Sequence, residues 1–302
     1  MTSTRLPNGI ELEYEVHGPA SGEPVLLVMG LGAQMIVWPL EFVQRLVDHG
    51  YRVIRFDNRD IGLSSEVDAP PPGIVQLATA MFARRLARAP YTLPDLADDA
   101  AGLLTALDID RAHVVGASMG GMIAQALTIG HPDRVASLTS IMSNTGDRRN
   151  GGLTLRVLFH MARLMAKPAA DPIEAGVAGG RIISGPHFDA EDARRLGKEA
   201  HDRSYRPEGA ARQTLGILAS PDRTPGLRNV RVPTLVIHGL RDPLVKPSGG
   251  IATANAVPGA KLVMYPDMGH DLPRQRWDDV IPEIVANISR APLARPAVAA
   301  AD

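Results

Sequence analysis

Short apolar runs recur along the chain, at 25–29, 53–56, 135–142, 235–237 and 262–265, and another leads into the glycines of 113–117. The 25–29 run is continuous rather than alternating, so it reads as a strand buried on both faces, as a parallel strand is, and the others read as further core strands. Between them apolar residues return at helical spacing. Leu40, Val43, Leu46 and Val47 do so within 38–49, which Gly50 ends; Leu96, Ala100, Leu103, Leu104 and Leu107 make a second stripe; 282–289 closes the chain as a third. One stretch has the other period. Ile10, Leu12, Tyr14 and Val16 alternate with Glu11, Glu13 and Glu15 after a turn at Pro7-Asn8-Gly9, which predicts a half-buried antiparallel strand. Strand and helix in alternation predict an α/β chain with a mostly parallel central sheet flanked by helices.

The alternation stops after 145 and resumes at 228. Between these points only helical patterns are visible, at 153–165, 190–205 and 208–218. An α/β core of 1–145 and 228–290 is therefore expected, with a helical cap over 146–227 lying across the carboxyl ends of the strands. Leu158, Met161, Leu164 and Met165 are candidates to line a pocket beneath it. Pro70-Pro71-Pro72-Gly73 interrupts the core, and a further helix is predicted over 74–88 with Arg84, Arg85 and Arg88 exposed, read as a solvated face ahead of a membrane-surface role. The Ala- and Pro-rich tail, 291–302, is expected to be flexible.

The candidate chemistry gathers at three strand ends. His113 to Ala117 runs into Gly116-Ala117-Ser118-Met119-Gly120-Gly121 and then into helix formers, a strand, sharp turn and helix that project the Ser118 hydroxyl outward. The same turn leaves the Met119 N–H at a helix N-terminus, where it can meet a developing oxyanion. Leu235 to His238 leads to Gly239-Leu240-Arg241-Asp242-Pro243, and Leu262 to Tyr265 leads to Pro266-Asp267-Met268-Gly269-His270. Ser118 as nucleophile, His270 as base and Asp242 as the acid that orients it appear in a known chain order for such a triad. Asp147, after the preceding strand, is the rival acid. Gly30-Leu31-Gly32 ends the 25–29 strand; its Leu31 N–H is the second oxyanion donor expected, with Gly30 letting substrate approach the backbone. The polar turn Asp57 to Ser64 reads as loop-fixing, and each other histidine has a structural reading, His238 as the residue before a turn glycine.

Composition narrows the partners. The 302 residues are 45% hydrophobic and balance 32 basic against 33 acidic side chains, without the clustered charge of a nucleic-acid binder. The absence of cysteine removes disulfides, thiolate metal sites and cysteine nucleophiles. The N-terminal residues lack the apolar core of a signal peptide and no run reaches a membrane span, so a cytoplasmic protein without a membrane partner is expected. The sequence also shows no extended exposed apolar segment for docking on lipid. The proposed chemistry needs no metal and no organic cofactor.

Val28-Met29-Gly30-Leu31-Gly32, Arg55-Phe56-Asp57-Asn58-Arg59-Asp60-Ile61-Gly62, Gly116 to Gly121 and Gly269-His270 together resemble the capped α/β hydrolases over nearly the whole chain. Within them the chain is most similar to the bacterial esterase group that includes aclacinomycin methylesterase. Where the wider family often begins the first motif with His-Gly, Met29-Gly30 stands here. The resemblance implies a hydrolase and leaves the substrate open; a cap that encloses a pocket over Ser118 and shuts out bulky lipid aggregates points to an esterase acting on small or medium acyl groups. Carbon–carbon bond hydrolysis, with Arg156, Arg163 or Arg181 holding a substrate carboxylate, and lactonase or perhydrolase activity are the alternatives, followed by a ligand-binding receptor. Dehalogenases and epoxide hydrolases need a carboxylate where Ser118 stands.

Overall fold

In the computed structural model, which describes residues 2–166 and 170–293, the chain runs β1 (Thr2–Arg5), β2 (Glu11–His17), β3 (Pro24–Val28), α1 (Leu40–Asp48), β4 (Arg52–Phe56), α2 (Ile74–Phe82), α3 (Leu93–Ala106), β5 (Ala112–Ala117), α4 (Met119–Gly130) and β6 (Val135–Ile141). Five helices follow: α5 (Leu155–Ala166), α6 (Pro172–Ile183), α7 (Ala190–Arg203), α8 (Pro207–Ala219) and α9 (Thr224–Leu227). The core then resumes with β7 (Thr234–Gly239), α10 (Ser248–Ala256), β8 (Lys261–Tyr265) and α11 (Trp277–Ile288). One eight-stranded sheet has the order β1-β2-β4-β3-β5-β6-β7-β8, parallel from β4 to β8, with β1 and β2 antiparallel at one edge.

The continuous apolar runs are explained by burial on both faces. Along β3, Leu26 and Val28 point into a cluster with α3 and α4, while Val25 and Leu27 point into the opposite one with α1 and α11. Strand order reverses at β3, because β4 lies on one side of it and β5 on the other. The loops leaving β3 and β5 therefore diverge, and a crevice opens between their carboxyl ends.

Several details differ from the sequence pattern. Glu13 is buried although its alternation placed it outward, because the 57–65 loop folds against β2: Ser64 Oγ accepts from Glu13 N–H at 2.9 Å and Glu13 O accepts from Asp57 N–H at 3.0 Å. The helix expected over 74–88 stops at Phe82. Arg84 there is half-buried rather than solvated, donating to the Ser220 carbonyl at 2.7 Å. The last helix starts at Trp277, before Pro282, since a buried stripe of Trp277, Val280, Ile281, Ile284 and Ile288 outweighs the hydrogen bond that proline removes. Helix α6 and strand β1 lie where no element was expected. Against the expectation of no exposed apolar segment, α2 presents Ile74, Val75, Met81 and Phe82 to solvent.

The helices between β6 and β7 are fastened to the core by buried charge. Asp57 and Asp60, at the end of β4, are fully buried. Asp57 Oδ2 pairs with Arg203 of α7 at 2.6 Å, and the same guanidinium nitrogen donates to Gln34 at 2.7 Å. Asp60 pairs with Arg212 of α8 through two hydrogen bonds, 2.8 and 2.9 Å, and accepts from the Tyr91 hydroxyl at 2.6 Å. The loop-fixing reading of this turn therefore holds, and what the loop fixes is the helical insertion. The bond to Asp60 raises the Arg212 pKa further, and burial and Asp60 together push the Tyr91 phenol far up. Truncating Arg212 leaves the Asp60 carboxylate buried and half-paired. Arg212→Ala is expected to lower unfolding free energy by about 3–5 kcal/mol, and Asp60→Ala in the same chain to recover part of it, as read from urea titrations.

Candidate active site

The turn after β5 is too tight for side chains on its glycines. A β-carbon on Gly116 would overlap the Gly120 carbonyl, and one on Gly120 would overlap the Val28 carbonyl. Between them Ser118 takes φ 55° and ψ −121°, a conformation that costs an ordinary residue about 1–3 kcal/mol. Neighbouring groups hold it there. Its N–H donates to the Ile141 carbonyl at 2.9 Å, and its carbonyl accepts from the Ser143 hydroxyl at 2.6 Å. Gly121 packs against Ser143, where a β-carbon would not fit.

Three loops converge on this serine. His270 Nε2 lies 2.8 Å from Ser118 Oγ, and His270 Nδ1 lies 2.7 Å from Asp242 Oδ2. The Asp242 side chain is fully buried and that of His270 is 7% exposed, so the line of hydrogen bonds is shielded from water. Burial alone would raise the Asp242 pKa. Hydrogen bonds from His238 and His270, the charge of His270 and the Val245 N–H outweigh burial and hold the carboxyl below its ordinary value. Asp242 Oδ1 accepts from Leu244 and Val245 N–H at 2.9 and 2.8 Å, which uses its second oxygen. Asp147 is elsewhere engaged: it accepts from Arg149 N–H at 3.0 Å and Asn150 at 2.7 Å within its own loop.

The loop after β3 completes the arrangement. A β-carbon built on Gly30 would stand 3.1 Å from the Ser118 β-carbon, so the Gly30 backbone lies directly beside the serine. Gly32 N–H is taken by Gln213 at 2.9 Å and Ala33 N–H by the Gly30 carbonyl at 3.3 Å. Among the described residues, Leu31 and Met119 N–H have no such partner. Asn58 anchors the start of this loop through the Met29 carbonyl at 3.0 Å, and Gln213 also donates to the Arg59 carbonyl at 3.0 Å. Met161, Leu164 and Met165 belong to α5, but their side chains lie outside the described residues, as do residues 294–302 of the tail.

Some contributors escaped the sequence reading. His238, fully buried, donates from Nε2 to the Val245 carbonyl at 2.8 Å and lies 3.4 Å from Asp242 Oδ2. Its position four residues before Asp242 was the available signal. Gln213 offered none, since a glutamine within an amphipathic helix looks like solvent-facing surface. The insertion also grips the His270 loop: Ile183 carbonyl accepts from His270 N–H at 2.7 Å, and Asp271 accepts from Gly185 N–H at 3.2 Å. Burial raises the Asp271 pKa. His187 Nε2 lies 2.7 Å from Asp267, whose carboxyl is held far below its ordinary value by Arg276 first and His187 second.

The chain belongs to the alpha/beta hydrolase family: a family profile of the alpha/beta hydrolase fold matches residues 23–164, and full-length relatives extend the match. It is 30% identical to rhodomycin D methylesterase DnrP of Streptomyces peucetius across 87% of this chain and 90% of that one. It is 27% identical to 3-oxoadipate enol-lactonase 2 of Acinetobacter baylyi across 80% and 79%. Among solved structures, the enol-lactonase of Burkholderia xenovorans superposes with a TM-score of 0.73 at 24% identity, covering 95% of this chain and all of that one. The resemblance read from the motifs, in fold and in likeness to methylesterases, is thus borne out.

A carboxyl with a lowered folded pKa stabilises the protein above its unfolded value, about 3.9, and loses that contribution as pH falls through the folded value. The stability difference between the native chain and Asp242→Asn is therefore expected to shrink on going from about pH 6 to about pH 3. Chemical denaturation at several pH values reads this directly.

Proposed function

We propose that this chain hydrolyses carboxylic esters of small or medium acyl groups by covalent acyl transfer on Ser118. The observation that carries the proposal is the shielded, hydrogen-bonded line from Asp242 through His270 to Ser118 at a strained elbow. His270 Nε2 takes the hydroxyl proton as Ser118 Oγ bonds to the ester carbonyl carbon, and the carbonyl oxygen becomes an oxyanion. Leu31 and Met119 N–H are the donors assigned to that oxygen, a reading supported by their lack of other partners among the described residues. Asp242 keeps the His270 Nδ1 proton in place and stabilises the imidazolium that forms. Collapse of the intermediate breaks the bond to the alcohol, which leaves with the proton from Nε2. Water, deprotonated by His270, then attacks the acyl-enzyme and releases the acid and free Ser118. Similarity to a methylesterase supports an ester as substrate.

In this proposal residues 146–227 act as a cap over a core of 1–145 and 228–290. The cap's grip on the His270 loop and on the loop bearing Leu31 supports that role. The carbon–carbon alternative loses support, because Arg156, Arg163 and Arg181, its candidates for a substrate carboxylate, are all exposed. Lactone opening remains the second reading. A lactone is an internal ester served by the same steps, and an enol-lactonase is among the relatives.

Ser118→Ala is expected to fold normally and lose at least about 10³-fold in kcat. A fluorophosphonate should label Ser118, and labelling of another serine with activity intact would overturn the assignment. Asp242→Asn is expected to abolish most turnover while Asp147→Asn leaves it close to native. Short-chain p-nitrophenyl esters, a small lactone, emulsified triolein and a vinylogous 1,5-diketone acid should be assayed together. The short esters or the lactone should lead, and a more than tenfold preference in kcat/KM for the diketone would displace the esterase reading.

A further inference from the structure

Helix α2 is apolar over most of its surface. Of its nine residues only Gln76 and Thr79 are polar. A helix of that kind is ordinarily buried all round. Here Ala80 is fully buried and the helix packs against α8, yet the opposite face is bare. Ile74 is 73% exposed, Val75 78% and Phe82 80%, and Leu86 in the turn beyond is 74% exposed. Positions 74, 75, 78, 81 and 82 share one helical face, so these side chains form a continuous ridge rather than scattered surface residues.

The charge of the segment that carries the ridge has one sign. Between Asp68 and Asp95 the sequence holds no acidic residue and three arginines. Arg84 is spent on the Ser220 and Gly146 carbonyls, with Asp147 and Asp222 near it. Arg85, Arg88 and Arg148 are exposed, and among the described residues none of them forms an ion pair. Phe82, Leu86, Arg84, Arg85 and Arg148 line a shallow cleft of about 510 Å³, and Arg148 donates to the Ala80 carbonyl at 2.7 Å.

We propose that α2 and the turn through Arg88 dock on the anionic headgroup layer of a phospholipid membrane. Ile74, Val75, Phe82 and Leu86 enter the boundary of the acyl chains, and Arg85, Arg88 and Arg148 meet lipid phosphates. A second copy of the chain is a poorer occupant. A two-fold contact sets this face against itself and brings the arginine clusters together, with no acidic residue of the segment to offset them. Docking also sets α8, whose Gln213 holds the loop bearing Leu31, toward the bilayer, where apolar esters collect. That last consequence rests on the ester-hydrolase reading; the docking does not.

The test is co-sedimentation of the full chain with phosphatidylcholine vesicles, with and without phosphatidylglycerol. Binding is expected only to the anionic vesicles and should weaken at high salt. Phe82→Ser with Leu86→Ser, and separately Arg85→Glu with Arg88→Glu, should each weaken it at least about tenfold while melting temperature and turnover of a soluble ester stay unchanged. Failure to bind anionic vesicles, or binding that neither pair of substitutions alters, overturns the proposal. So does a dimer seen by light scattering that Phe82→Ser dissociates, since the face then joins two copies.

Discussion

The backbone of Ser118 is held where an L-residue does not rest unaided, and the surrounding structure is arranged to keep it there. Two glycines allow β3, β5 and α4 to meet at distances that exclude a β-carbon, and the end of β6 ties down both the amide and the carbonyl of the serine. A strained residue persists only when its neighbours over-determine it. The strain has a geometric return. It places the serine hydroxyl above the sheet and the Met119 N–H at the start of a ten-residue-plus helix, so that one turn positions two groups of the proposed reaction. Because β5 sits beside the reversal in strand order, the Gly30 backbone arrives on one side of the serine and His270 on the other.

A second constraint is the burial of charge at the end of β4. Two aspartates without solvent exposure would be very costly alone, and each is matched by an arginine from the helices between β6 and β7. A paired, hydrogen-bonded ion at such a site adds little net stability, but it penalises every arrangement that separates the partners. The insertion is thereby given one position on the core. Gln34 and Gln213 extend that network to the loop bearing Leu31, and Ile183 and Gly185 reach the His270 loop. Displacement of these helices therefore disturbs both sides of the serine at once, which couples the helical insertion to the Ser118 turn through hydrogen bonds rather than through packing alone.

Much of this was legible in the sequence. The buried strands declared themselves because a parallel strand covered on both faces is mostly apolar, β3 without a break and β4 and β6 with a few buried polar side chains, and the elbow because its spacing of glycines is a steric requirement of the turn. The order of Ser118, Asp242 and His270, each at a strand end, located the three converging loops. Those properties are local: each follows from a few consecutive residues and the conformations they allow.

Tertiary structure decided the rest, for reasons of distance along the chain. Asp242 rather than Asp147 faces His270 because β8 pairs beside β7, bringing residues 242 and 270 together, and no local pattern reports that meeting. His238 and Gln213 matter through what they touch, four and 181 residues away from the groups they serve. Glu13 is buried because a distant loop covers it, although its own alternation points it to water. Periodicity also could not separate the two apolar faces of α2, since a helix that is apolar over most of its surface has no single preferred inward side. Only the packing of Ala80 and α8 on one side shows that the other is left bare, because which apolar surface finds a partner is settled by the whole fold and not by the helix that carries it.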